Sequence, residues 1–342
     1  MRSHHPIPSK RTWTRGDQCD PSGVQLTDHE AHELMERVRA LEPDFRGHYM
    51  ENYRVQTSVG DALLRRARTD VFSGYDPRMM PESDALIAAR HRGVNVPEVL
   101  YAADSYLIER YLCGSLPSMA GSDPLSWLTD LLSQVQAMQS HPAPASPLSS
   151  VYEWQNWMAH FLSSLYAELP QRHTDRIAYL GVPPLDAFWR PDSAQSARRL
   201  VLVHADLHPD NLLVADDGVW ILDWELAQVA DPVWEAAVSL HRTPWPDLAM
   251  ESQASAMWLH VLDSTEDVAV DELLVQYRGL ETWKSLLVDS WRYPEAIASD
   301  PSCLDSCVRS FHVKLAEGAR RFGCTSLSTS EVRQLLQNWA AT

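Results

Sequence analysis

The chain has 342 residues, 45% of them hydrophobic, with 46 Asp and Glu against 29 Lys and Arg for a formal net charge of −17. That length suits two domains or one large two-lobed unit, and the acidic balance offers no basic footprint for a nucleic-acid backbone. No apolar run is long enough to span a bilayer, and the opening MRSHHPIPSKRTW lacks the apolar core of a signal peptide, so a cytoplasmic protein, monomer or homodimer, is expected.

Residues 1–25 read as a flexible N-terminal arm rich in Ser, Pro and Arg. Thr27, with Glu30 after it, reads as a capping box that opens an amphipathic helix through Leu34, Val38 and Leu41, with Pro43 ending it. Tyr49–Gln56 and Ala62–Arg66 read as paired strands around Gly60 and Asp61. Pro81 opens a helix to about Arg92, and Val96–Ala102 and Tyr106–Tyr111 read as two more strands. Gly114 closes this first α/β lobe, placing a boundary near residues 113–117 and dividing the chain into 26–115 and 116–342.

Helical patterns follow at 124–139 and 151–169, separated by the Pro/Ser-rich HPAPASPLSS, and again at about 231–241, 247–263, 270–291, 303–321 and 329–339. Trp154, Trp157, Trp234, Trp258, Trp283 and Trp291 all fall in predicted helices and read mostly as core. Cys19, Cys113, Cys303, Cys307 and Cys324 give no disulfide or zinc spacing. Cys303 and Cys307 share a helix face and read as buried thiols. Lys10, Lys284 and Lys314 are the only lysines, a skew that reads as the coding bias of a high-GC bacterium.

The chemistry concentrates in residues 200–225. LVLV delivers His204, Ala205 and Asp206 into a loop, and LLV-ADDG-VWIL then forms a hairpin. A hairpin brings its ends together, so Asn211 lies near Asp223. Phosphoryl transfer needs a carboxylate near the attacking hydroxyl, oxygen ligands for Mg²⁺, and positive charge around the phosphates. Asp206 fits as the carboxylate that orients the alcohol and takes its proton, with Asn211 and Asp223 as the Mg²⁺ ligands. His208 is placed to touch Asp206 or the transferring group, and His204 to fix the loop.

This segment resembles the aminoglycoside phosphotransferase and choline kinase superfamily, which is related to eukaryotic-type protein kinases. Asp206 and Asn211 stand at the D-x-x-x-x-N spacing of the kinase catalytic loop. Asp223 stands after the hairpin, followed by Trp224 and Glu225. The later DPVWE is also similar, with Asp231 as an anchor to the next helix and Glu235 as structural. The resemblance implies an α+β, two-lobed protein-kinase-like fold with a small antiparallel-sheet N-lobe and a mainly helical C-lobe. It also implies ATP and Mg²⁺ as cofactors.

On that alignment Arg65 of LLRRAR takes the place of the kinase lysine that touches the phosphates, with Glu82 as its helix partner. The stretch GVNVPEVL is similar to the family's run after this helix. No G-x-G-x-x-G is present; Gly47 and ENYRV stand for a shorter nucleotide loop, with Asn52 near phosphate. Backbone groups of Glu109 and Tyr111 are expected against adenine. Glu225, Asp263, Glu266, Asp267 and Glu281 are candidates for an acidic acceptor wall. The expected activity is ATP-dependent O-phosphorylation of a small molecule, a cationic aminoglycoside or basic peptide antibiotic. The alternatives are a metabolic aminoalcohol such as choline or homoserine, or a catalytically silent nucleotide-binding protein of the same fold.

Overall fold

The computed structural model describes residues 25–47, 49–68, 77–121, 123–192, 198–262 and 270–341. Helix α1 (Asp28–Val38) begins as expected at Thr27, whose side chain accepts from the Glu30 N–H at 3.2 Å. Glu30 does not close the capping box. Its carboxylate accepts instead from Ser58 N–H and Oγ at 2.7 and 2.8 Å, tying the helix to a turn of the sheet.

That sheet has β1 (Phe45–Arg46), β2 (Met50–Thr57), β3 (Gly60–Ala67), β4 (Val99–Ala102) and β5 (Tyr106–Arg110), in the order β1-β2-β3-β5-β4, all antiparallel. Strand alternation gives it two faces. Tyr53, Val55, Ala62, Leu64 and Ile108 pack with Leu34, Met35 and Val38 of α1. Arg65 stands opposite Leu107, and Leu63 opposite Glu109, on the other face. Helix α2 (Glu82–Arg90) covers that second face, with Ala85, Leu86 and Ala89 in one core with Leu107.

The rest is mainly helical. α3 (Ser126–Ser140), α4 (Val151–Glu168) and α5 (Gln171–Leu180) precede β6 (Val201–Val203), β7 (Leu212–Ala215), β8 (Gly218–Ile221) and β9 (Gln228–Ala230). After them come α6 (Pro232–Arg242), α7 (Leu248–Leu262), α8 (Val270–Ser299), α9 (Leu304–Phe322) and α10 (Thr329–Ala340). An antiparallel sheet followed by a mainly helical body is the expected architecture. Three elements were not read in the sequence: β1 and β9, too brief to show a period, and α5, whose buried face includes the polar His173 and Arg176 beside Ile177 and Leu180. α8 also runs on through Pro294, beyond the expected end.

Trp154, Trp224, Trp258 and Trp283 are fully buried, and Trp234 nearly so. Trp154 packs against Trp234 with ring centres 5.1 Å apart and meets Tyr277 edge-on at 5.8 Å. This aromatic knot sits under α6 and fixes the helix that reaches the catalytic loop. Cys307 is buried while Cys303 is half-exposed, their Sγ atoms 3.7 Å apart. Among the described residues no group of His, Cys, Asp and Glu forms a metal cluster.

Candidate active site

β6 pairs antiparallel with β9, Val203 opposite Gln228, and ends at His204. The His204 ring is fully buried, edge-on to Trp224 at 4.8 Å between ring centres. Its Nδ1 accepts from the Asp206 N–H at 3.2 Å, so Nε2 carries the proton and donates to Leu222 O at 2.7 Å. Burial holds this ring below the ordinary histidine value, hence neutral. It therefore staples the start of the loop to the end of the hairpin. Ala205 takes a left-handed backbone, φ 66°, unusual without glycine. Its N–H is held by Glu235 Oε2 of α6 at 2.8 Å, and this bond turns Asp206 toward the cleft.

The Asp206 side chain is 13% exposed. Asn211 Nδ2 donates to its main-chain oxygen at 2.9 Å and to Oδ2 at 3.1 Å. His208 Nε2 lies 3.6 Å from Oδ2. Arg242, the last residue of α6, forms an ion pair with Oδ1. Burial alone would raise this carboxyl; Arg242 and His208 outweigh it and leave the group below its ordinary value, ionised as a proton acceptor must be.

β7 and β8 form the expected hairpin, Leu212 opposite Ile221. Leu222 N–H donates to Asn211 O at 2.9 Å, which sets Asp223 beside Asn211. Asp223 is itself left-handed, φ 60° and ψ 61°, and Trp224 Nε1 donates to Ile221 O at 3.0 Å beneath it. The hairpin is held from outside by Asp130 of α3, whose carboxylate accepts from Val219 N–H at 2.6 Å.

Arg65 reaches across from β3. Its guanidinium forms ion pairs with Glu82 of α2 and with Asp223, and lies 3.9 Å from Glu109 Oε2. Glu225 pairs with Arg78 at 2.8 Å. Four carboxyls (Glu82, Glu109, Asp223 and Glu225) thus share two guanidiniums. Burial first, then this crowding, pushes Glu109 and Glu225 up to about 8. Carboxyls crowded enough to hold protons, beside two oxygen donors, fit a divalent cation, whose charge would relieve their repulsion. Asn211 spends its amide N–H on Asp206, turning its oxygen away from that residue, and Asp223 supplies a carboxylate. Both suit Mg²⁺, which takes its remaining ligands from water and phosphate.

Several expectations are corrected. Glu109 lies inside the sheet, opposite Leu63 and Val99, and the Tyr111 N–H is spent on Asp61 O at 3.1 Å, which removes that N–H from contact with a base. The Glu109 side chain instead joins Arg65. Asn52 stands opposite Arg65 on β2, near Gly47. Glu225 does not line an acceptor wall, because it is 10% exposed and tied to Arg78. Glu281 is buried and accepts from Trp234 Nε1 at 2.7 Å. Asp263, Glu266 and Asp267 lie outside the described residues. Arg242 and Arg78 were missed. Arg242 follows Glu235 by two helical turns, so both share one face of α6; that this face meets the catalytic loop is decided by the fold.

The model of the phosphotransferase enzyme family (APH) matches residues 43–267, more than half of the chain. The chain belongs to the phosphotransferase enzyme family. No curated protein sequence matches this phosphotransferase. Among solved structures it is similar to a macrolide 2'-phosphotransferase from Brachybacterium faecium: 17% identity, 81% of this chain and 97% of that chain covered, TM-score 0.46. The choline kinase of Streptococcus pneumoniae matches at 14% identity over 91% of this chain and 99% of that one, TM-score 0.49. An amicoumacin kinase in complex with AMP-PNP and Ca²⁺ matches at 14% identity over 77% and 88%, TM-score 0.49. Those three act on different acceptors, and likeness at this level says nothing of the acceptor here.

Proposed function

We propose that this phosphotransferase moves the γ-phosphoryl group of ATP to a hydroxyl of a small molecule. The observation that supports the reading most is the convergence of Asp206, Asn211 and Asp223 with the Arg65–Glu82 pair. The sheet with α1 and α2, residues 26–115, then serves as the nucleotide lobe, and residues 116–342 carry the catalytic hairpin and the acceptor site. Ser115, paired with Val214 of β7, joins the two.

Asp206 orients the acceptor hydroxyl and takes its proton as the oxygen attacks the γ-phosphorus; the bond from that phosphorus to the ADP oxygen breaks. Asn211 and His208 keep Asp206 in place, both at its Oδ2. Asn211 and Asp223 would hold Mg²⁺, which when bound neutralises charge on the phosphates. Arg65 leaves Asp223 for the phosphates while Glu82 keeps its guanidinium in line. The acceptor remains a small molecule; the described residues give little support to an acidic wall for a polycation. No helix among them is long and apolar enough to cross a membrane, in keeping with a cytoplasmic enzyme.

The test is a panel of alcohols with ATP and Mg²⁺, read by mass spectrometry for an added phosphoryl group and by ADP release. Asp206→Asn is expected to abolish transfer while leaving Mg–ATP affinity within a few-fold. Retained turnover in that variant would remove Asp206 from the base role. AMP instead of ADP would point to nucleotidyl transfer.

A further inference from the structure

Resting on the phosphotransferase reading of Asp206, the charge around that residue narrows the class of acceptor. Asp206 Oδ2 is engaged by Asn211, and Oδ1 is taken by Arg242. Arg242 is 37% exposed at the end of α6, on the side of Asp206 away from Asn211. The acceptor hydroxyl has to reach the same carboxylate. Beyond Arg242 the positive charge continues. Asp289 of α8, 1% exposed, pairs with Arg292 at 2.8 Å and with Lys314 of α9, and Arg242 lies near enough to act on it electrostatically. Lys314 Nζ also donates to the Tyr293 hydroxyl at 3.2 Å. Among the described residues this wall therefore sets three cations against the two carboxylates Asp206 and Asp289. Of the other acids, Glu235 is committed to the Ala205 N–H behind the loop, Asp210 faces His208 at 3.8 Å, Glu225 pairs with Arg78, and Glu281 lies under Trp234.

We propose that Arg242 is an acceptor-binding residue and that the acceptor is an alcohol carrying an anionic group, a carboxylate or a phosphate, close to its hydroxyl. The anion takes over the guanidinium fork, which matches planar oxyanions in a bidentate manner. Asp206 Oδ1 is then released to receive the hydroxyl proton. Substrate binding and freeing of the base become one event, and a neutral alcohol, having nothing to draw Arg242 away, leaves the base occupied. A polycation would meet Arg242 at the point of attack.

The experiment uses the full-length protein and matched acceptor pairs: glycerate against glycerol, gluconate against glucose, and glucose 6-phosphate against glucose. Choline and kanamycin serve as cationic members. Mg–ATP binding is measured separately by calorimetry. Transfer is expected to an anionic member, with kcat/KM on the order of 10- to 100-fold above its neutral partner, the range of a hydrogen-bonded charge contact. In Arg242→Gln that ratio collapses, mainly through KM, and Arg242→Lys keeps part of it. A neutral or cationic alcohol as best acceptor overturns the proposal, as does a ratio untouched by Arg242→Gln. Failure of every anionic member while Mg–ATP binds overturns it too. Absence of Mg–ATP binding instead overturns the phosphotransferase reading beneath it. The comparison across wild-type acceptors stands even where the Gln variant does not fold.

Discussion

At the scale of single residues, Arg65 carries the heaviest electrostatic duty. It is 4% exposed and faces Glu82, Asp223 and Glu109. A planar, forked cation can bridge two carboxylates at once, which an ammonium does less well. Removing it strands buried charge, so Arg65→Ala is expected to lose about 3–5 kcal/mol of stability in chemical denaturation. Arg65→Lys should stay folded and raise the KM for nucleotide; an unchanged KM would put the phosphate contact elsewhere. The kinase resemblance gave Arg65 and Glu82 as partners, one on a strand and the other opening the next helix. The pairing of Arg65 with Asp223, 158 residues apart, and of Arg78 with Glu225, 147 apart, could not be read in the sequence. Such contacts depend on how the sheet is set over the hairpin, and no local pattern encodes it.

At the scale of elements, the β7–β8 hairpin decides where both metal-ligand candidates stand. Gly218 closes its turn with φ 124°, and a Cβ there would sit 2.9 Å from Asp130 Oδ2, the same carboxylate that holds Val219 N–H. Gly218→Ala is therefore strained twice. It is expected to cost about 1–3 kcal/mol and to weaken Mg²⁺-dependent nucleotide binding, read by thermal shift with and without Mg–ATP. Full retention of the Mg–ATP shift would uncouple the turn from the site. This hairpin was legible because an Asp-Gly turn between two apolar runs is a local signal. α6 was legible as a helix from its DPVWE start, with Asp231 now seen capping Val233 N–H at 2.9 Å while holding Arg198 and the Tyr277 hydroxyl at 3.0 Å each. That its far end delivers Arg242 to Asp206 was not legible, because the angle of α6 is set by the packing of Trp154, Trp234 and Tyr277.

At the scale of the whole molecule, buried carboxyls set the response to pH. Burial raises Glu109, Glu225 and Glu235 to about 8, whereas an unfolded chain releases those protons near pH 4.3. Between these values the folded state binds more protons than the unfolded one, so these groups make stability fall as pH rises through the window. Glu235→Gln, which keeps the acceptor for Ala205 N–H and removes one titration, is expected to narrow the gap in Tm between about pH 5 and pH 8. Calorimetry at the two values checks it, and an unchanged gap would place the proton elsewhere. The sequence by itself determined the reaction class and the trio Asp206, Asn211 and Asp223, since a short loop and a tight hairpin bring near neighbours in the chain together whatever surrounds them. Only the tertiary structure decided the charge that meets them: Arg65 on Asp223, Arg78 on Glu225, and Arg242 on Asp206. Those partners come from distant elements whose approach is fixed by side-chain packing, and at such separations the sign of the field around a carboxylate is a property of the assembled fold.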